Sequence, residues 1–282
     1  MRQGNPIRRA VRPLLAAGWL GASLLLMSAS PVADGQPELV AHRGASAYAP
    51  ENTLAAFDEA VRLGADWIEL DVRRTRDGQL AVIHDESAER VTGTAKRIGG
   101  TDLAELRQLD AGFSFRGGAQ HRSDDSRASG AAAVQRIPLL DEVLERYAGR
   151  IGLLIELKDP ALYPGIEAQV AERVKPFLGN RLLLQSFDLG SLERLRRLLP
   201  EARLGALIGE EAAAEFADGD WREQARSWDY VNVQTTLLDR RLVKLLHEEG
   251  ALVMAWTVRS PEDRQRLASI GVDGLIMDDP RL

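Results

Sequence analysis

Short apolar segments alternate with helical patterns along most of this 282-residue chain. Apolar runs of this length, bounded by polar or turn residues, are typical of buried strands. Nine are present, at residues 39–42, 67–72, 80–84, 151–157, 182–186, 203–208, 230–233, 252–257 and 274–277. Because parallel strands need a crossover connection, usually a helix, this alternation predicts an α/β fold with a parallel sheet.

Carboxylates interrupt two of these segments on one face only. Successive side chains of a strand point to opposite faces, so Glu69 and Asp71 share a face while apolar residues take the other. Glu156 repeats this arrangement in segment 151–157, and Lys158 follows it. Buried like charges need a cation, and oxygen ligands in a chain without cysteine suit a hard ion better than zinc. Glu69, Asp71 and Glu156 therefore predict one divalent metal ion, Ca²⁺ or Mg²⁺.

Two histidines lie at the ends of strand segments near these carboxylates. His42 ends the first segment. Asp77-Gly78 is typical of a hairpin turn, and a turn centred on this pair would set Asp71 opposite His84. Imidazole has an unperturbed pKa near ~6.5 and can exchange protons with a reacting oxygen at neutral pH. His42 and His84 are therefore the predicted acid–base groups.

Two cationic side chains beside these groups predict a phosphate site. Arg43 follows His42 directly and offers a forked donor that matches phosphate oxygens. Lys158 would lie near any anion bound beside Glu156. Gly44 is expected to leave room for a ligand to approach the backbone. Together these residues supply nearly everything needed to cleave a phosphodiester with a metal ion.

The order and spacing of the motifs resemble the glycerophosphodiester phosphodiesterase family, also called glycerophosphoryl diester phosphodiesterases. The resemblance covers the chain from about residue 39 to the C-terminus. Its motifs are H-R-G at 42–44, E-N-T at 51–53, E-L-D at 69–71, H-D at 84–85, I-P-L-L-D-E-V-L at 137–144, E-L-K at 156–158, Q-S-F-D at 185–188, W-T-V at 256–258 and D-G-L-I-M-D-D-P at 273–280. Each motif is weak alone, but their order is highly specific.

By matching motif, the resemblance implies a role for each of the residues singled out above. These roles are a metal ion held by Glu69, Asp71 and Glu156, an acid–base pair of His42 and His84, and phosphate bound by Arg43 and Lys158. Trp256 in the W-T-V motif is a further candidate for substrate contact, with packing in the core or at the mouth as the alternative. The implied reaction is metal-dependent hydrolysis of a glycerophosphodiester to glycerol 3-phosphate and an alcohol.

The implied fold is a (β/α)8 TIM barrel of the phospholipase C-like phosphodiesterase type. The residues favour the same fold, because the candidate site residues lie at the C-terminal ends of several strands, where barrel enzymes place their chemistry. Nine strand segments are one too many, and Asp77-Gly78 is too short for a helical crossover. One strand of that hairpin is therefore expected to be an arm above the barrel mouth.

Other interpretations of the same residues stay open. A lysophospholipase D-like or cyclising phospholipase activity would use the same site, as the resemblance implies. A protein that only binds glycerophosphodiesters would keep Arg43 and the metal ligands but would not need both histidines. Asn52 either caps the helix that begins next to it or contacts the site. Glu69 and Asp71, taken alone, would be more typical of a solvated strand face.

The expected domain organisation is a leader followed by one barrel domain over residues 34–282. Residues of about 86–136 contain no good strand, one short helix near 102–109 and a polar, glycine-rich run that includes His121. We expect this segment to be a small insertion after the third strand that covers the site and influences substrate selectivity.

The N-terminal 33 residues have the pattern of an export signal. Four arginines precede an uncharged, largely apolar stretch. The segment is predicted to be a signal peptide or an uncleaved membrane anchor, which makes the protein exported and either periplasmic or secreted. Any contact with the membrane is expected only through this segment. Without cysteine, the chain forms no disulfides and carries no lipoprotein anchor.

The charge of the chain bears on its partners. The formal net charge is −6, and residues 1–33 contribute only positive charge to it. A nuclease that tracks a phosphate backbone would be expected to present a basic surface. Nucleic acid is therefore not an expected substrate, and a small glycerophosphodiester is the predicted partner.

Overall fold

The computed structural model describes residues 1, 35–117, 133–211 and 221–282. Residues 2–33 of the predicted export signal, and His121 of the glycine-rich run, lie outside this described part. Within it, no helix combines the length and the apolar character that crossing a bilayer requires.

The strands of the described part form one sheet that closes on itself. They are β1 (Glu38–Ala41), β2 (Trp67–Arg74), β3 (Leu80–Val82), β4 (Gly152–Leu157), β5 (Leu182–Ser186), β6 (Arg203–Ile208), β7 (Tyr230–Gln234), β8 (Leu252–Val258) and β9 (Gly274–Met277). Their order is β1-β9-β8-β7-β6-β5-β4-β2-β3, and pairing of β1 with β2 closes the barrel. Only β3 is antiparallel to its neighbour, so the remaining eight strands form the predicted parallel barrel. The arm above the mouth is therefore β3.

The register of the β2–β3 hairpin differs by one residue from the prediction. The two strands pair Val72 with Val82. This register needs a loop of three residues, and its last residue, Gly78, has a φ of 81°, as the glycine of a three-residue hairpin loop requires. The prediction that Asp71 lies opposite His84 is therefore wrong, and His84 lies beyond the end of β3.

Helices connect the barrel strands and cover the outside of the sheet. The first, α1 (Leu54–Leu63), begins where Thr53 accepts a hydrogen bond from the backbone of Ala56 and ends at Gly64, which has a φ of 76°. The other helices of the described part are α2 (Glu89–Thr92), α3 (Leu103–Leu106), α4 (Phe113–Gly117), α5 (Leu140–Tyr147), α6 (Ile166–Val174), α7 (Leu189–Leu198), α8 (Trp221–Arg226), α9 (Arg240–Glu248) and α10 (Pro261–Ile270).

A layer of apolar side chains fills the lower half of the barrel. One residue from each of seven strands contributes to it: Val40, Trp67, Leu154, Leu183, Tyr230, Met254 and Ile276. The residue two positions later on each strand lies on the same face but nearer the C-terminal mouth. These residues are His42, Glu69, Glu156, Gln185, Asn232, Trp256 and Asp278. The barrel therefore places an apolar floor directly beneath a ring dominated by polar groups.

The insertion between β3 and α5 has more helices than its sequence predicted. The expected helix near 102–109 is present as α3, but α2 and α4 accompany it. Helices of four or five residues are too short to show a periodic apolar pattern. A small separate core that includes Ile83, Val91, Ile98 and Leu106 packs the insertion together. It therefore stands as a packed unit at the barrel mouth.

Candidate active site

Three buried carboxylates converge at the mouth of the barrel. Glu69 and Asp71 lie on β2 and Glu156 lies on β4, and the register of these two strands pairs Asp71 with Glu156. Their side chains offer ligand oxygens that all lie within 4.8 Å of one another. All three residues are at most 6% exposed. The structure thus brings together the three residues predicted as metal ligands.

The crowding of these carboxylates changes their proton affinities. Burial raises the pKa of Glu69 well above its ordinary value, and the charges of Asp71 and Glu156 raise it further. Burial also raises the pKa of Glu156, to about 7, although the Lys158 ammonium opposes the shift. Burial acts on Asp71 in the same direction, but Arg43 and other cationic neighbours outweigh it and lower its pKa. Two of the three carboxylates are therefore costly to ionise without an added cation.

Asn52 holds the central carboxylate in place. Its side-chain amide donates to Asp71 Oδ2 at 2.7 Å, and its carbonyl oxygen accepts from the backbone N–H of Asp71 at 3.2 Å. Asn52 is 4% exposed and has a φ of 55°, a conformation that asparagine tolerates better than most residues. The neighbouring Thr53 caps α1 instead. Of the two interpretations of Asn52, contact with the site is the one that the structure supports.

The loop after β1 brings Arg43 against the carboxylates. Its backbone N–H donates to Glu69 at 2.8 Å, and its guanidinium Nε lies 3.5 Å from Asp71 Oδ2. Gly44 makes this path possible, because a Cβ on it would lie 2.7 Å from the backbone and side chain of Ala56. The room at Gly44 is therefore taken by α1, whereas the sequence predicted that a ligand would use it.

The donor set fits a divalent cation with oxygen ligands. Among the described residues, only two cations lie against the three carboxylates, since Lys158 Nζ lies 2.7 Å from Glu156 Oε1 and Arg43 approaches Asp71. At least one negative charge of the three thus remains uncompensated, as expected of residues that bind a hard metal ion.

Each of the two candidate histidines is held by its own aspartate. His42 Nδ1 lies 2.6 Å from Asp278 Oδ1, and His84 Nδ1 lies 2.7 Å from Asp85 Oδ1. Both histidines line a pocket of about 240 Å³ together with Glu69, Glu156 and Lys158. A carboxylate on Nδ1 favours the tautomer that leaves Nε2 free to accept a proton. The arrangement therefore presents two oriented imidazoles to one small chamber.

Burial of His84 favours its neutral form. Burial lowers its pKa, and the nearby Arg43 and Lys158 lower it further, whereas Asp71 and Asp85 act in the opposite direction. The balance of these effects lowers the pKa of His84 below its ordinary value.

Arg90 of the insertion joins His84 to Arg43 through two carboxylates. Its Nε donates to Asp85 at 2.5 Å, and its two terminal nitrogens donate to Glu51 at 2.6 and 2.7 Å. Glu51 also accepts from Arg43 at 2.9 Å. Burial would raise the pKa of Asp85, but its hydrogen bonds with Arg90 and His84 lower it to about 2. Sequence patterns gave no indication of Arg90, because its contact with Glu51 joins residues that lie 39 positions apart in the chain.

Replacing Arg90 with Gln is expected to lower kcat by about 10- to 100-fold, the usual cost of losing a group that orients a site residue. The fold should persist, because the Arg90 side chain is 46% exposed. Steady-state kinetics would measure the effect. Arg76→Gln is the matched control, since Arg76 makes a similar paired contact with Asp102 away from the site. An unchanged kcat for Arg90→Gln would show that the network does not position His84 or Arg43.

An aromatic pair forms another wall of the small pocket. Trp256 donates from its indole nitrogen to the backbone oxygen of Asn232 at 2.9 Å and contacts Phe187 edge to face at 5.5 Å between ring centroids. Lys158 Nζ lies 5.6 Å from the centroid of the Phe187 ring. Trp256 therefore lies where a bound molecule would touch it, and Phe187 is a wall residue that sequence analysis did not single out.

Comparisons with known proteins agree with this geometry. A family model described as "Glycerophosphoryl diester phosphodiesterase family" matches residues 42–282. A glycerophosphodiester phosphodiesterase from Caldanaerobacter subterraneus subsp. tengcongensis is 36% identical over 247 residues, which cover 86% of this chain and 94% of the relative. One from Bacillus altitudinis is 34% identical, with coverage of 86% and 95%.

Solved structures show the same barrel. A phosphodiesterase from Oleispira antarctica, solved in complex with the product sn-glycerol-3-phosphate, superimposes with a TM-score of 0.73 at 29% identity. The match covers 87% of this chain and 94% of that one.

Proposed function

Because this chain belongs to the glycerophosphoryl diester phosphodiesterase family of hydrolases, we propose that it cleaves glycerophosphodiesters to glycerol 3-phosphate and an alcohol, using a divalent metal ion and two histidines. The observation that carries the proposal is the group of three buried carboxylates, two of which line one pocket together with His42 and His84. The product named for the Oleispira antarctica enzyme supports the choice of substrate class.

The metal and the two cations divide the work of binding the phosphate. Glu69, Asp71 and Glu156 would hold the ion, which when bound supplies Lewis-acid polarisation of a phosphoryl oxygen. Arg43 and Lys158 line the same pocket and donate to the remaining non-bridging oxygens. They offset the charge that the phosphoryl group gains as the new bond forms.

The histidines carry the proton transfers. One imidazole accepts the proton of the attacking oxygen, while the other, in its protonated form, donates a proton to the oxygen of the departing alcohol. Asp278 and Asp85 hold Nδ1 of each ring and stabilise the imidazolium form. The phosphorus–oxygen bond to the alcohol breaks as that oxygen is protonated, so no unstabilised alkoxide is released.

The direct test is release of glycerol 3-phosphate from glycerophosphocholine by the full chain. We expect activity to disappear with EDTA and to return with Ca²⁺ or Mg²⁺, and the ion that restores it identifies the cofactor. Glu69→Gln, which retains the shape of the side chain, should stay inactive after metal is restored. Cleavage that survives exhaustive chelation would contradict the metal-dependent mechanism. Cleavage of lysophospholipids alone would favour the lysophospholipase D-like interpretation.

We also propose that the protein is exported by its first 33 residues. The support is the sequence pattern alone, in which four arginines precede an uncharged apolar stretch. Cell fractionation of a bacterial host should find the full chain in the periplasm, the medium or the membrane. Retention in the cytoplasm would refute export.

A further inference from the structure

A second cavity adjoins the pocket of the candidate active site. It is a cleft of about 500 Å³ between the barrel mouth and the insertion, and its walls include Glu51, Arg90, Ser114 and Asp278. The smaller pocket of about 240 Å³ contains Glu69, Glu156 and Lys158. Three residues line both cavities: His42, Arg43 and Arg259. A substrate that spans the two cavities would therefore pass beside these three side chains.

The two cavities suit the two halves of a phosphodiester. This step rests on the proposed function. The smaller pocket contains the carboxylates and Lys158, so the phosphoryl group and the glycerol attached to it belong there. The larger cleft lacks the metal ligands but shares His42, so it is the place for the alcohol that leaves. The chemistry of the cleft walls should then decide which alcohols are preferred.

The acidic side chains of the cleft already have partners in the protein. Glu51 accepts hydrogen bonds from Arg43 and Arg90. Asp278 is bonded to His42 at 2.6 Å and accepts from the hydroxyl of Ser46 at 3.2 Å. Both carboxylates therefore already have hydrogen-bond partners within the protein.

Arg259 supplies the free positive charge of this region. It directly follows the end of β8 at the mouth and is exposed. Within residues 35–117, 133–211 and 221–282, Arg259 forms no ion pair or hydrogen bond. The guanidinium of Arg43, in contrast, already donates to Glu51 and approaches Asp71 within the protein. Arg259 therefore has its planar set of donors available for a ligand.

We propose that Arg259 binds an anionic group on the leaving alcohol, so that the protein prefers glycerophosphodiesters whose alcohol carries a phosphate. The guanidinium fork matches two phosphate oxygens at once, which gives both attraction and orientation. A cationic alcohol such as choline would meet like charge at Arg259 and bind less well. Arg259 is thus the residue that determines specificity for the alcohol half of the substrate.

The test compares three substrates with the full chain and its metal. They are glycerophosphoglycerol, the same molecule with a phosphate on its outer glycerol, and glycerophosphocholine. We expect kcat/KM for the phosphate-bearing substrate to exceed that for glycerophosphoglycerol by about 10-fold, equivalent to about 1.4 kcal/mol. Arg259→Gln should remove most of this preference by raising KM for the phosphate-bearing substrate. Arg259→Glu should invert the preference and favour glycerophosphocholine.

The matched control is Arg197→Gln. Arg197 lines a separate groove on the outside of the barrel, and its replacement changes the net charge by the same amount. This variant should retain the substrate ratio, which would exclude an effect of overall charge. If Arg259→Gln still cleaved all three substrates with an unchanged ratio of kcat/KM, the role of Arg259 would be contradicted, but the proposed function would stand. Failure of the unmodified protein to cleave any of the three would overturn the proposed function and this inference with it.

Discussion

Replacing either His42 or His84 with Ala is expected to lower kcat by at least ~10²-fold, the usual contribution of a positioned acid or base. Both rings line the pocket that contains the carboxylates, and each is oriented by an aspartate at 2.6 or 2.7 Å. Their side chains are 18% and 29% exposed, so their removal should leave the fold intact. Circular dichroism would verify the fold, and glycerol 3-phosphate release would measure kcat.

The chain contains a matched control for this experiment. His247 on α9 forms the same kind of pair with Asp273, at 2.7 Å, on the outside of the barrel. His247→Ala removes a histidine–aspartate pair without touching the pocket, so kcat should change little. Full activity in both the His42 and His84 variants would exclude acid–base catalysis by these residues.

Replacing Glu156 with Gln is expected to abolish metal-dependent activity and at the same time stabilise the metal-free protein at pH 8. The pKa of Glu156 is raised to about 7 in the folded protein, against an ordinary value of 4.5. The folded state therefore binds this proton more tightly than the unfolded state does. As pH rises from 4.5 through about 7, this group lowers the free energy of unfolding.

The size of the effect follows from the shift. One pKa unit corresponds to ~1.4 kcal/mol, so the ionised Glu156 costs up to about 3 kcal/mol at pH 8. A neutral glutamine of the same shape avoids this cost, and we expect Tm in EDTA at pH 8 to rise by roughly 5–10 °C. At pH 4.5 the difference between the two proteins should nearly vanish. Thermal unfolding monitored by circular dichroism at the two pH values would measure it.

Glu167 provides the control of opposite sign. It is also buried, at 5% exposure, but its pKa is lowered, because hydrogen bonds with its own backbone, Arg194 and Ser191 outweigh the effect of burial. Glu167→Gln should therefore destabilise the protein at pH 8. If Glu156→Gln also lowered Tm there, the three carboxylates would not be under electrostatic strain, and the main physical argument for a bound cation would fail.

The sequence predicted the barrel because its signals are local. Strand alternation placed Glu69 and Asp71 on one face, and the structure brings their side chains together. The side of the strand on which a carboxylate lies depends only on counting residues. Such features can be predicted without knowledge of the tertiary structure, and the structure confirmed them.

The features that the sequence did not predict are of two kinds. Some are contacts between residues far apart in the chain, and others depend on the exact backbone geometry of one or two residues. The predicted register of the hairpin was wrong by one residue, because Asp77-Gly78 is compatible with loops of two or three residues. The two aspartates that contact the histidines belong to the H-D and D-D-P motifs of the sequence. The contact between Asp278 and His42, however, forms only when the barrel closes. Arg90 belongs to a helix of four residues that has no detectable pattern.

The bond between His42 and Asp278 joins the first barrel strand to the residue that follows the last one. In the backbone, His42 also donates to the carbonyl oxygen of Met277 at 2.9 Å. A nascent chain that has not yet emerged from the ribosome as far as β9 can therefore neither close the barrel nor orient this imidazole. The protein should therefore become active only after the last strand has been synthesised. Incomplete chains should not hydrolyse phosphodiesters.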